Sequence, residues 1–287
     1  MDNIKFINKP SEFDFTTEDC ITIFGNGPSL KDIPKGYNFQ GKLIGMNRID
    51  SFIQDHNIKL FIYIFITDNI ANKEWGNEWY SSLYNGSQVS EKTIISKEVY
   101  QFLLNDSRKT TQEILSSELY VVNCIKEPRL YMFNSVVYPK EYFTKSGTSI
   151  NFASQIALLF KPEKINFYGV DLGWKTTSSE KQYDPNHYHS NYFARINSGY
   201  YENARMHHVH DMLYKIFEKN NIKIKNFSPR TIVECYDVYD LETNKLVKNK
   251  EIIKNNILKR HLLTLIDEMK NDLKRMIVKF LIFMRLK

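Results

Sequence analysis

Short apolar runs, each stopping at a glycine or a polar residue, set the rhythm of the first part of the chain. Cys20-Ile21-Thr22-Ile23-Phe24 is rich in β-branched residues and ends at Gly25. Lys42-Leu43-Ile44-Gly45-Met46 ends at Asn47, and the run from Leu60 to Thr67 ends at Asp68. Runs of about 4–8 apolar residues without polar alternation are what strands buried on both faces require. The segments between them leave room for crossover connections, so the pattern predicts an α/β fold with a mostly parallel sheet and helices on both faces.

Residues 71–120 are mixed and polar, with aromatic residues such as Trp75, Trp79 and Tyr80, and they are expected to be helical. Residues 119–124 predict a further strand. Ser146-Gly147-Thr148-Ser149 then precedes an apolar stripe of Phe152, Ile156, Leu159 and Phe160, followed by Pro162 and a strand over residues 164–171 that delivers Asp171. Residues 172–206 carry many Tyr, Asn, Ser and His residues without apolar periodicity, as a functional loop or lid would. A helix from about Asp211 to Asn220 and a strand over residues 222–227 resume the alternation. The reading is one domain over residues 1–244, with the lid at about 172–206, and a separate tail over 245–287.

That tail changes the meaning of the charge. The net charge is +6, yet residues 245–287 hold 12 Lys/Arg against 4 Asp/Glu, which leaves the body slightly acidic. A nucleic-acid partner is therefore not expected, because a basic groove would lie in the folded body. The tail places Ile253, Ile257, Leu262, Leu265, Ile266, Met269, Leu273, Met276, Ile277 and Phe280 at helical intervals among its basic residues. Such a basic amphipathic helix suits an anionic membrane surface, the alternative being packing on the domain or in a homo-oligomer. No segment approaches the roughly 20 apolar residues that span a bilayer, and the N-terminus lacks a signal-peptide stretch. Cys20, Cys124 and Cys235 have neither zinc nor redox spacing and read as reduced thiols. The expectation is a cytoplasmic protein, peripheral to the inner face of the cell membrane.

Candidate chemistry gathers at the ends of the apolar runs. In an open parallel sheet, ligands sit outside the carboxyl ends of the strands, so Gly25, Asn47, Asp68 and Asp171 would converge on one crevice. The loop Gly25-Asn26-Gly27-Pro28-Ser29-Leu30 allows close backbone approach, exposed amides for an anion and the hydroxyl of Ser29. It is neither the dinucleotide fingerprint nor the P-loop. The lid holds Tyr183, His187, Tyr188, His189 and Tyr192, followed by His207, His208 and His210. Those spacings lack the i, i+4 pairing of a zinc enzyme, so a histidine general base fits them better than a metal.

The strand leading into Gly25-Asn26-Gly27-Pro28-Ser29-Leu30, with Asn47, Thr148-Ser149 opening a helix and Gly169-Val170-Asp171 ending a strand, resembles the bacterial lipooligosaccharide sialyltransferases. The resemblance spans most of residues 20–235. It implies a Rossmann-like domain with a mobile lid, CMP-N-acetylneuraminate or a similar CMP-sugar as donor, a surface glycan acceptor, inversion at the anomeric carbon, and no metal or other cofactor. Carried over, Asn26, Asn47, Thr148 and Ser149 would contact CMP together with Gly25, Gly27, Ser29, Asp68 and Asp171. Tyr183, Tyr188, Tyr192 and Trp174 would serve the phosphate or substrate. His207 would be the base, with His187 and His208 as alternatives. The chain departs from the family at Gly173-Trp174, where the family places a tyrosine two residues after the aspartate, and at Thr67-Asp68, where an asparagine is expected; Asp68 would then face ribose or sugar hydroxyls. Two other classes fit the glycine loop: a magnesium-dependent pterin pyrophosphokinase-like enzyme and a non-catalytic nucleotide-binding scaffold.

Overall fold

The computed structural model describes residues 4–71, 76–105, 117–125, 143–144, 148–172, 188 and 204–250, with residues 266, 273, 276 and 277 of the tail. Its strands are β1 (Ile4–Ile7), β2 (Cys20–Phe24), β3 (Lys42–Met46), β4 (Leu60–Phe65), β5 (Ser90–Ser96), β6 (Glu118–Val122), β7 (Cys124–Ile125), β8 (Phe143–Thr144), β9 (Lys164–Tyr168), β10 (Lys223–Asn226), β11 (Val238–Tyr239) and β12 (Leu246–Lys248). Its helices are α1 (Asp50–Asp55), α2 (Gly76–Gln88), α3 (Lys97–Leu104), α4 (Ser149–Leu158) and α5 (Ala204–Lys219).

Ten of these strands form one sheet in the order β1-β6-β5-β4-β3-β2-β9-β10-β11-β12, and only β12 runs antiparallel to its neighbour. Residues alternate across it as the pleat demands. Ile21, Ile23, Ile62, Ile64, Ile165 and Phe167 point to one core, which α4 closes with Phe152 and Ile156 and α5 with Val209, Leu213 and Phe217. Phe24, Tyr63, Phe65 and Tyr168 point to the other, beneath Phe52 of α1, Trp79 and Leu83 of α2, and Val99 of α3. Both faces are covered, which is why these strands read as unbroken apolar runs. The mostly parallel, Rossmann-like α/β architecture is as expected from the sequence.

Three elements differ from the sequence expectation. Within residues 71–120 the strand β5 lies between α2 and α3; its first half, Ser90-Glu91-Lys92, is polar and hides the strand, whereas Thr93-Ile94-Ile95 is buried. The helix expected from Asp211 begins at Ala204, because His207 and His210 occupy core positions that a hydrophobic pattern scores as polar. After the glycine loop, where the sequence leads one to expect a first strand turning into a first helix, the chain makes a 3-10 turn, Pro28–Asp32. The sheet also runs to Lys248, past the residue at which the tail was expected to start. Of residues 251–287 the four described ones are helical and exposed, Met276 at 61% and Leu273 at 55%. Among the described residues no helix is long and apolar enough to cross a membrane.

Successive strands step from β2 through β3, β4 and β5 to β6, and the chain then returns to lay β9 and β10 on the other side of β2. The order reverses between β2 and β9, and the carboxyl edge at such a reversal is where open α/β sheets bind ligands. The glycine loop and Gly169-Val170-Asp171 both leave the sheet there.

Candidate active site at the carboxyl edge

At the reversal the backbone is closed up tightly. Gly25 N–H donates to Tyr168 O at 2.7 Å and Gly27 N–H to Gly169 O at 2.9 Å. A Cβ on Gly25 would stand 2.3 Å from Gly169 O, and one on Gly27 would stand 2.1 Å from Asp171 Oδ2. The two glycines are therefore demanded by the neighbouring strand end, which accounts for them without a ligand. Asp171 is 3% exposed. Its Oδ2 accepts the Ser29 N–H at 3.0 Å and the Ser29 hydroxyl at 2.8 Å, holding the start of the 3-10 turn. Burial pushes the Asp171 carboxyl above its ordinary range, while the two Ser29 hydrogen bonds pull it down. Ser29 is thus tied to Asp171 Oδ2, while Asp171 Oδ1 is buried without a hydrogen-bond partner among the described residues.

One strand over, the edge is built from amides and hydroxyls. Asn47 follows β3 in the left-handed conformation, φ 51°, which asparagine adopts more readily than most residues. Its N–H donates to Ile64 O at 2.7 Å, and its Nδ2 donates to Ser149 Oγ at 2.7 Å. Ile66 N–H reaches its Oδ1 at 3.4 Å. Asn26 Nδ2 donates to Met46 O at 3.2 Å, so both asparagines are fixed to the end of β3. Thr148 is the N-cap of α4, its hydroxyl accepting the Ile150 N–H at 3.0 Å. The amino end of α4 thus stands against Asn47, and a helix start with outward amides favours an anion. The structure brings together Asn26, Asn47, Thr148 and Ser149 as one polar group, while Gly25, Gly27, Ser29 and Asp171 form the bracing beside it.

Asp68 opens a short 3-10 turn, Asp68–Ala71, after β4; its backbone alone is described. Tyr188 contributes differently from the expectation. Its N–H donates to Asn26 O at 2.8 Å, and its hydroxyl donates to Asp55 Oδ2 at 2.5 Å. Its ring meets Phe52 edge-on at 5.3 Å. Its phenol is thus committed to α1 rather than offered to a phosphate, and burial and then Asp55 push its pKa up. Tyr183, His187, Tyr192 and Trp174 lie outside the described residues.

α5 is the crossover from β9 to β10, so its first turn lies at the same carboxyl edge as the glycine loop. His207 and His208 belong to this helix instead of preceding it. His207 is 4% exposed; for His208 only the backbone is described. His210 is completely buried with Nδ1 at 3.1 Å from Tyr236 Oη. Sequence reasoning grouped His210 with the lid histidines and gave Tyr236 no part. The signal was available: counted as a core position, His210 extends the stripe of Leu213 and Phe217 back by one turn. Among the described residues no three His, Cys, Asp or Glu side chains are grouped as a metal site.

No protein-family model matches the chain, and no curated protein matches it in sequence. Solved structures do share its fold. The Maf glycosyltransferase from Magnetospirillum magneticum AMB-1 superposes over 88% of this chain and 38% of its own, at 15% identity and a TM-score of 0.50. The chain therefore spans little more than a third of that protein's length. The sialyltransferase CstII from Campylobacter jejuni, solved with cytidine 5'-monophosphate, aligns over 83% of this chain and 94% of its own at 12% identity, with a TM-score of 0.42, too low to add to the fold assignment. The Maf likeness fixes the fold as one that a glycosyltransferase also uses.

Proposed function

We propose that this chain is a metal-independent, inverting glycosyltransferase that moves a sialic-acid-like sugar from a CMP-sugar to a surface glycan such as lipooligosaccharide or capsule. The observation that carries this reading is the meeting of Asn26 and Asn47 with the capped start of α4 at the edge beside the strand-order reversal. The fold shared with the Maf glycosyltransferase supports the reaction class. The resemblance on the glycine loop, Asn47 and Thr148-Ser149 supports the CMP-sugar. In this reading the CMP moiety lies along Asn26, Asn47 and Ser149, with its phosphate toward the amino end of α4.

The acceptor oxygen attacks the anomeric carbon from the side opposite the phosphate, and its proton passes to a histidine. His207 takes that role, at the edge where α5 begins, with His187 and His208 as alternatives. The bond between the anomeric carbon and the phosphate oxygen breaks, and CMP leaves with the electron pair. The amides of α4 oppose the charge that gathers on the phosphate. The basic tail would hold the enzyme at an anionic membrane, with Ile266, Leu273, Met276 and Ile277 presenting exposed apolar surface to it.

The test combines ligand binding and turnover. CMP should raise the melting temperature more than UDP, GDP or ATP; at about 100 times Kd the gain is about 2.7 kcal/mol. With EDTA present, wild-type protein should transfer or hydrolyse a CMP-sugar, and His207→Ala should lose at least ~100-fold in turnover while keeping CMP affinity. Activity abolished by EDTA would move the assignment to the pyrophosphokinase-like alternative, and unchanged turnover would remove His207 from the role. For the tail, full-length protein should sediment with phosphatidylglycerol vesicles and a form ending at Lys250 should not; equal binding defeats the membrane role.

A further inference from the structure

Asn47 reaches the candidate site from a backbone that must be held in place. Its φ of 51° lies in the left-handed region, which costs any residue that carries a side chain. Its N–H donates to Ile64 O, and its Oδ1 accepts the Ile66 N–H, so one side of the residue is tied to the end of β4. A backbone N–H can only donate, which makes Oδ1 the atom that faces Ile66 and turns Nδ2 toward Ser149. One Nδ2 hydrogen is spent on Ser149 Oγ. The other is uncommitted among the described residues.

The remaining polar group of Asn47 is its carbonyl, and this accepts the Tyr63 hydroxyl at 2.5 Å. Tyr63 lies in β4 and is completely buried; its hydroxyl also stands 3.0 Å from Ser82 O of α2. A phenol has one proton, and the nearer carbonyl takes it, since a carbonyl inside a helix has its own donor four residues on. Phenylalanine would fill the same space without burying a hydroxyl, so the oxygen serves its hydrogen bond. α2 is shaped to receive the ring: a Cβ on Gly86 would stand 2.3 Å from Tyr63 Cζ and 2.5 Å from both Cε atoms. Glycine is otherwise disfavoured inside a helix. Two more contacts join α2 to the same turn, for Asn85 Nδ2 donates to Asp50 Oδ2 at 3.3 Å and the Arg48 guanidinium lies 5.6 Å from the centre of the Trp79 ring. The turn from Asn47 to Asp50 therefore rests on α2 at three points.

We propose that Tyr63, seated in the notch at Gly86, is the positioning residue of Asn47. By holding the Asn47 carbonyl it fixes the left-handed turn, and the turn aims the uncommitted Nδ2 hydrogen at the nucleotide. Wholly buried itself, Tyr63 acts on the ligand through Asn47 alone. The helix α2, behind the sheet edge, thereby becomes a support of the nucleotide site. This rests on the reading of Asn47 as a CMP contact given above.

A double-mutant cycle read by calorimetric titration with CMP tests it. Tyr63→Phe removes the oxygen and keeps the ring, and it should weaken CMP about fivefold, as the loss of one neutral hydrogen bond does. Asn47→Gly should weaken CMP about tenfold, and the double variant should bind within about twofold of Asn47→Gly, because Tyr63 then has no amide left to aim. Losses that multiply to about fiftyfold would make the tyrosine merely structural and overturn the proposal. A Tyr63→Phe protein that binds CMP as tightly as wild type overturns it too. Hydrogen exchange without ligand adds a readout independent of CMP. In Tyr63→Phe the amides of Asn47 and Ile66 should exchange about fivefold faster, while that of Gly27, bonded to Gly169 O, stays within about twofold of wild type. An equal rise at all three amides overturns the proposal. A wild-type protein that binds no CMP would defeat the proposed function, and the exchange rates would still decide whether Tyr63 holds Asn47.

Discussion

Two strand ends that lie side by side at the carboxyl edge have been built for opposite purposes. Between β2 and β9 the backbones are drawn so close that Gly25 and Gly27 have no room for a methyl group, and Asp171 Oδ2 holds Ser29. Between β3 and α4 the same edge is spaced by side chains, with the Asn47 amide donating to the Ser149 hydroxyl and the Asn26 amide to the Met46 carbonyl at the end of β3. The first junction sets where the strands end, and the second sets which polar atoms stand at the edge. A glycine loop at a sheet reversal invites a ligand reading for every residue in it, but here geometry divides the motif. Its glycines, Ser29 and Asp171 brace, while Asn26 sits with Asn47 and Ser149 in the polar group that the proposed function takes as the ligand's partners.

The largest effect should come from forcing a side chain into the brace. In Gly27→Ala the new Cβ would sit 2.1 Å from Asp171 Oδ2 and 2.6 Å from Gly169 O, so a carboxylate and a backbone segment must both move. Overpacking of this kind, with loss of the Ser29 hydrogen bonds, should cost about 3 kcal/mol or more, read as a shift in the urea midpoint. Any protein that folds should still bind CMP within about threefold of wild type, since Gly27 is not among the donors. A stable Gly27→Ala protein that has lost CMP would place the glycine at the ligand and erase the distinction.

That distinction was only half legible in the sequence. The strands flanking the edge were visible because burial on both faces makes them continuously apolar: Ile21 to Phe24, Ile62 to Phe65 and Ile165 to Tyr168 carry almost no polar residue. Thr148 as a helix start was visible because an N-cap must be a small hydroxyl or amide residue followed by an apolar stripe. What the sequence could not supply was the pairing across more than a hundred positions. Nothing local to Gly25 shows that Gly169 O lies 2.3 Å from where its Cβ would be, or that Ser29 and Asp171, 142 residues apart, are hydrogen-bonded. The histidines failed for a related reason. His207 and His210 look like lid chemistry in a polar stretch, and only the packing of α5 shows them to be core positions of a helix seven residues longer at its start than the apolar pattern suggested.

A smaller and more discriminating effect is expected on the other side of the comparison, at Asn47. This residue has two jobs that can be separated, because its φ of 51° is a backbone matter and its hydrogen bonds to Ser149 and from Ile66 are side-chain matters. Asn47→Gly tolerates the backbone and removes only the side chain, so it should cost about 1–2 kcal/mol and weaken CMP about tenfold. Asn47→Ala loses the same bonds and adds the left-handed strain, a further ~1 kcal/mol, with no further loss of CMP affinity. The pair thus predicts different stabilities and equal Kd values, measured by denaturation and by calorimetric titration. If Kd tracked stability across the two variants, Asn47 would act on the ligand only by holding the edge in shape, and it would belong with Gly25, Gly27 and Asp171. Equal Kd values at unequal stability would assign the amide of Asn47 to the ligand directly.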